Sequence, residues 1–263
     1  IVSDGVCFRE NSILAEIAWE KSFCAGKSGI GVCSGDSGGG FFVKFNGKFY
    51  FRGFVSSSII SDSGCYTEDY AVYTDVTKYA DFIGIQKASN NNQLSTEHPP
   101  TCGVMSEESS LIVGGKLSTR QQFPWLVSIF IKQYDGKYHH EGSGSLISSR
   151  HVVSEADLVS QIDKEKHYHA IQTNRVKMFL GSTIYDSIAE PGSKVIDGVY
   201  KISVFPESRY NTDFTPVIFN IAVITMSRTI IFSSNIFPVC LKNFFNLNQV
   251  EAVSFSVGYG WDK

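Results

Sequence analysis

Gly35-Asp36-Ser37-Gly38-Gly39-Gly40 lies near the start of a 263-residue chain, and the rest of the sequence is read outward from it. A serine hydroxyl becomes a working nucleophile under three conditions. It needs a sharp turn that presents it, backbone N–H donors aimed at the developing oxyanion, and a base within hydrogen-bond reach. The glycines allow the tight backbone, and the N–H groups of Gly35 and Ser37 can converge on one oxygen. A plain Gly/Ser turn between strands is the competing reading, and it gives no reason for an Asp before the Ser. The hexapeptide therefore reads as a nucleophile loop.

On either side of the loop the chain alternates short β-like runs with Gly, Asn and Ser clusters. Residues 41–45, 49–55 and 71–74 are aromatic and β-branched, the signature of short strands. Ile13, Leu14, Ile17 and Ala18 recur at helical spacing and predict a short loop helix. Val76, Tyr79, Ala80 and Ile83 do the same after Thr74-Asp75, a fitting N-cap, and predict a helix near 76–86. Residues 87–111 are polar and without periodicity, and they read as a linker. A flexible coil of that length averages roughly 25–30 Å between its ends. It can bring its two flanks together in one body. Strand-like runs return at 125–131, 145–147, 176–180, 221–224 and 253–257. Many short strands and few helices predict an all-β barrel or sandwich, with units at 1–86 and 112–263.

Composition narrows the class. At 43% apolar and 19% charged residues the chain is globular. A net charge of -3 gives no reason to expect nucleic acid or an anionic membrane as partner. No apolar run is long enough for a membrane-spanning helix. No signal peptide is visible, and the opening Ile1-Val2 lacks a Met, as in a mature or partial chain. No Asn-x-Ser/Thr acceptor occurs, and no cofactor or metal is expected. The six cysteines, Cys7, Cys24, Cys33, Cys65, Cys102 and Cys240, form no C-x-x-C pair. An even, scattered set suits three disulfides in an oxidising compartment, although composition leaves all 15 connectivities open.

The surroundings of the hexapeptide carry a resemblance. Phe23-Cys24-Ala25-Gly26, Gly31-Val32-Cys33-Ser34 running into the loop, Gly53-Phe54-Val55-Ser56, Cys65, Val72-Tyr73-Thr74-Asp75-Val76 and Tyr79-Ala80-Asp81-Phe82-Ile83 follow one another as in the second half of an arthropod-type chymotrypsin-like (S1) serine protease. The later segment is similar to the first half of the same family. Ile112-Val113-Gly114-Gly115 resembles the activated N-terminus, and Phe123-Pro124-Trp125-Leu126-Val127 the first strand. Val152-Val153-Ser154-Glu155-Ala156-Asp157 resembles the segment of the catalytic His, and Asn220-Ile221-Ala222-Val223-Ile224 that of the catalytic Asp. Pro238-Val239-Cys240-Leu241 and Gly258-Tyr259-Gly260-Trp261 follow in family order. About nine tenths of the chain is covered.

The resemblance implies a secreted, extracellular protein with a trypsin-like double antiparallel β-barrel in circularly permuted order. The alternative is two halves that belong to different parent domains. It makes Ser37 the nucleophile and Gly35 an oxyanion donor, and it pairs Asp36 with a freed Ile112. It gives a pocket with base Gly31 and walls Val32, Ser58 and Ala71, with Ser56 also on the substrate side. It pairs Cys7 with Cys24, Cys33 with Cys65 and Cys102 with Cys240. No Asp lies in the pocket, so the implied specificity is non-tryptic.

The departures fall on the base. Asp157 stands where the family has its His, and Asn220 where it has its Asp. The cystine that flanks the His is replaced by Gly142 and Leu158. An Asp, with an ordinary pKa about 3.9 against about 6.5 for imidazole, is a weaker and shorter base. Ile112 follows Leu111 rather than Arg or Lys, so a trypsin-like activator would not free it. His139, His140, His151, His167 and His169 read as surface or hydrogen-bonded residues rather than displaced bases. The His167-Tyr168-His169 pair has no third metal ligand evident in the sequence. Two functions remain. One is a serine endopeptidase, active when completed by its missing halves. The other, favoured, is a catalytically impaired homologue that binds a protein substrate or a protease-cascade protein.

Overall fold

The structure, a computed structural model, describes residues 1–10, 20–26, 32, 35–57, 60–61, 64–65, 70–84, 101–105, 122–182, 192–208, 219–241 and 253–259. A short helix, α1 (Asp4–Glu10), opens it. The first sheet uses β1 (Ser22–Gly26), β2 (Gly40–Phe45), β3 (Lys48–Ser57) and β6 (Tyr70–Asp75); β4 (Ile60–Ser61) and β5 (Gly64–Cys65) form a separate small hairpin. The second sheet takes β7 (Leu126–Lys132), β8 (Tyr138–Leu146), β9 (His151–Ser154), β12 (Val176–Leu180), β13 (Lys194–Ile196), β14 (Val199–Val204) and β15 (Ala222–Met226). Its side hairpin is β10 (Ser160–Ile162) with β11 (Tyr168–Ala170). The last strand is β16 (Val253–Val257).

Two antiparallel sheets result, ordered β1-β6-β3-β2-β16 and β13-β12-β7-β8-β9-β15-β14. This nearly all-β pair of curled sheets is the trypsin-like double β-barrel. Residues 253–257, placed by sequence with the second half, join the first sheet. Val253 pairs with Lys44 and Val257 with Gly40.

The run Gly40-Phe41-Phe42-Val43 lacks polar alternation because both faces of β2 are covered. Phe41 and Val43 point into a cluster with Phe23, Ala25, Val32, Val55, Ala71 and Tyr73. Phe42, on the opposite face, enters the large core shared by the two sheets. At that seam Phe42 and Phe49 pack on Trp125 with centroids 5.4 Å away, and Phe49 also meets Phe255 at 5.5 Å. Each such ring contributes about 1.5–3 kcal/mol by burial, so the two sheets hold each other through aromatic side chains.

Of the segment expected to be helical near 76–86, residues 76–84 are described: a 3₁₀ turn over Val76–Tyr79 is continued by bonds from Ile83 N–H to Tyr79 O at 3.0 Å and from Gly84 N–H to Asp81 O at 3.3 Å. Asp75 caps it, accepting from Thr77 N–H at 3.0 Å, and also meets Arg52. The patch at 13–18 lies outside the described residues. Disulfides join Cys7 to Cys24 and Cys102 to Cys240; the Cys33–Cys65 expectation involves Cys33, outside the described residues.

Candidate functional site

The Ser37 loop sits at the entrance to β2, pressed between the two sheets. Gly39 N–H donates to Asp36 O at 2.7 Å, closing the turn. Gly38 N–H donates to Val55 O at 3.2 Å and Val55 N–H to Gly39 O at 2.8 Å, which ties the loop to β3. On the other side Ser143 N–H, from β8, donates to Ser37 O at 2.8 Å. Gly38 has a φ of +72°, and a Cβ there would lie 2.1 Å from Ser143 O and 2.8 Å from Ser154 Oγ. Glycine is thus required twice, for the left-handed backbone and for the close approach. Among the described residues, neither Gly35 N–H nor Ser37 N–H has a backbone acceptor.

Asp36 is directed at the segment after β16: a Cβ on Gly258 would lie 2.6 Å from Asp36 Oδ1. Next along, Tyr259 N–H donates to Ser143 Oγ at 3.2 Å. Ile112, the expected partner of Asp36, is outside the described residues. So are Gly31 and Ser58 of the expected pocket. Val32 and Ala71 are buried in the cluster inside the first sheet, and Ser56 is half-buried on β3.

Asp157 and Asn220, far apart in sequence, meet in the structure. Asp157 N–H donates to Asn220 Oδ1 at 3.0 Å, and Asn220 Nδ2 donates to Asp157 Oδ1 at 3.2 Å. Asp157 is exposed at its outer side, yet the protein packed around its carboxyl desolvates it and raises its pKa, against the opposing pull of the Asn220 bond. Beside it, Gly142 and Leu158 are neighbours, since a Cβ on Gly142 would fall 2.8 Å from Leu158 Cδ1. Leucine fills the space beside the glycine.

Sequence reasoning missed Glu155. It follows the last residue of β9, is 1% exposed, and its side chain is hydrogen-bonded to Ser37. Its Oε1 has no hydrogen-bond partner among the described residues. Burial first, and then the neighbouring Asp157, push its carboxyl well above the usual range, with the Ser37 bond acting in the opposite direction. The group that meets Ser37 is therefore a glutamate and not the residue at the expected base position. The available signal was an acid embedded in the apolar stretch Val152-Val153-Ser154-Glu155-Ala156, where a strand end is buried.

The histidines have other engagements. His139 Nε2 lies 2.9 Å from Asp135, His151 Nδ1 2.7 Å from Ser148 Oγ, and His169 Nε2 2.6 Å from Asp163. Burial lowers the pKa of His140, which packs between Phe130 and Tyr259. Asp163, Glu165 and His167 bring ligand-type atoms within 4.8 Å of one another at the turn between β10 and β11, carboxylates that the sequence did not reveal beside the His pair. Asp163 is already used by that turn, accepting from Glu165 N–H and His167 N–H at 2.9 Å each.

A double β-barrel with a Gly-Asp-Ser-Gly-Gly loop between its sheets defines the trypsin-like class. The match to the family model described as Trypsin, over residues 1–83 and 112–263, identifies the chain as a member of that family. It is 25% identical to CLIP domain-containing serine protease B4 of Anopheles gambiae over 66% of this chain and 47% of that protein. It is 24% identical to the proclotting enzyme of Tachypleus tridentatus over 57% and 38%. To melanization protease 1 of Drosophila melanogaster it is 28% identical over 54% and 36%. The chain thus spans about half, or less, of the curated relatives it matches.

Proposed function

We propose that the chain is a catalytically impaired S1 homologue, secreted, that acts by binding a protein in an extracellular proteolytic cascade. The observation that carries this is the surroundings of Ser37, its proposed nucleophile. The serine meets a buried glutamate, while Asp157 at the base position is held by Asn220. No imidazole is in either place, so the proton relay of the triad is incomplete. The relatives named for clotting and melanization support the cascade setting. The engagement of residues 253–259 with β2, Asp36 and Ser143 supports a permuted order, in which residues 253–257 complete the barrel of β1, β2, β3 and β6 and the strands from β7 to β15 form the other.

The test is kinetic and restorative. The purified chain should turn over no peptide substrate, whether basic or large and apolar at the cleavage position. Asp157→His together with Asn220→Asp should gain esterase activity if the permuted site is formed. Peptide turnover by the unmodified chain at a rate typical of competent proteases would overturn the impaired reading.

A further inference from the structure

A buried carboxylate is hard to account for by stability. Transferring an ionisable group from water without full pairing costs free energy, and an apolar residue would fill the end of β9 at no such cost. Glu155 nevertheless occupies that place, enclosed between the sheets, with one oxygen unpartnered and the side chain bonded to Ser37. The loop opposite is fixed to within hydrogen-bond tolerance by Ser143 and Val55. Serine and carboxylate are therefore held in register by both sheets.

We propose that Glu155 is the proton acceptor for Ser37, making the pair a slow acylation site for activated acyl and phosphonyl esters. The proposal rests on Ser37 being the nucleophile. In the step, Ser37 Oγ forms a bond to the carbonyl carbon or phosphorus, and the hydroxyl proton passes to the Glu155 carboxylate. The bond to the leaving group breaks, and a phenolate or similar anion departs with its electron pair. The products are the ester of Ser37, neutral Glu155 and the free anion. Such leaving groups need no proton. A peptide nitrogen does, which is why activated esters are the substrates to test.

Asp157 is the charged group beside Glu155 on its own segment. From the facing loop comes the Ser37 hydroxyl, while the neighbouring Asp36 carboxylate lies against Gly258 and the neutral Asn220, two residues before β15, bonds Asp157. Burial and Asp157 keep Glu155 protonated above the ordinary carboxylate range, so its basic form grows in as pH rises. Acylation should follow that rise.

The intact chain is treated with an aryl phosphonate and with p-nitrophenyl acetate across the pH range, and the modified peptide is identified by mass spectrometry. We expect label on Ser37, at a rate that climbs with pH in one step. Glu155→Gln keeps the shape and removes the base, and should slow labelling at least about tenfold and flatten the pH profile. Glu155→Ala should be slowed as well and rescued by added formate, a response that loss of packing would not give. Equal rates and profiles in the wild type and Glu155→Gln would overturn the proposal while leaving Ser37 as nucleophile. Absence of label on Ser37 in the wild type at every pH would overturn both together.

Discussion

Asp157 and Asn220 hold each other by two hydrogen bonds, backbone N–H to Oδ1 at 3.0 Å and Nδ2 to Oδ1 at 3.2 Å. Asn220 is buried, Asp157 lies at the surface end of the pair, and Asn220 satisfies a backbone donor and a carboxyl at once. Truncation removes both bonds and empties a buried side-chain site. Asn220→Ala should cost about 1–3 kcal/mol, read as a lower urea midpoint with an unchanged slope. An unchanged midpoint would mean that the pair contributes nothing.

The pH dependence has a definite sign. Glu155 and Asp157 titrate above their ordinary values in the folded chain, whereas the unfolded chain releases these protons near about pH 4. Between those points the folded state binds more protons, so stability from this pair is greatest in acid and falls as pH rises. Glu155→Gln should therefore raise the melting temperature at neutral pH and reduce its fall between acid and neutral conditions. A variant that melts lower at neutral pH would contradict the assignment.

Gly38 tests the contact between the sheets. Gly38→Ala puts a Cβ into Ser143 O and Ser154 Oγ at a left-handed φ, and should cost about 2 kcal/mol or more. Gly5→Ala, in α1 with nothing within 4 Å, should be neutral or stabilising by up to about 1 kcal/mol. Equal melting shifts for the two would sink the packing account.

The Cys102–Cys240 bond crosses β3: Phe49 N–H donates to Gly103 O at 2.8 Å, and Cys240 N–H to Phe49 O at 3.2 Å. Proteolysis between Met105 and Gln122 should yield two pieces that stay together on a non-reducing gel and separate on reduction. Removing the pair by Cys102→Ser with Cys240→Ser should cost about 2–5 kcal/mol, measured by denaturation.

Much of this was legible in the chain. The Gly-rich loop announces itself because glycine is needed where backbone approaches backbone, and Gly38 does just that. The strand runs at 41–45, 49–55, 125–131 and 176–180 can be read from their aromatic and β-branched residues, and a period of two then sends Phe41 and Val43 to one face of β2 and Phe42 to the other, both of them buried. Pairing is not local, so residues 253–257 look like a strand without revealing that β2 is the partner. Val76–Tyr79 carries helical spacing, yet tertiary packing of Tyr79 on Phe205 at 5.0 Å accompanies a single 3₁₀ turn. Glu155 was hidden for a further reason. Its meaning comes from a neighbour over a hundred positions earlier, and nothing in its own segment names that neighbour.

The seating of β16 against β2 has a consequence for biosynthesis. On the ribosome the Ser37 loop and β2 emerge well before their outer strand, because the whole second sheet lies between them in sequence. Until then β2 presents an unpaired edge of aromatic residues, open to mispairing. Closure over so long a separation is slow. The nascent chain should therefore depend on holding factors, or on rapid completion, more than a protein whose sheets close in order.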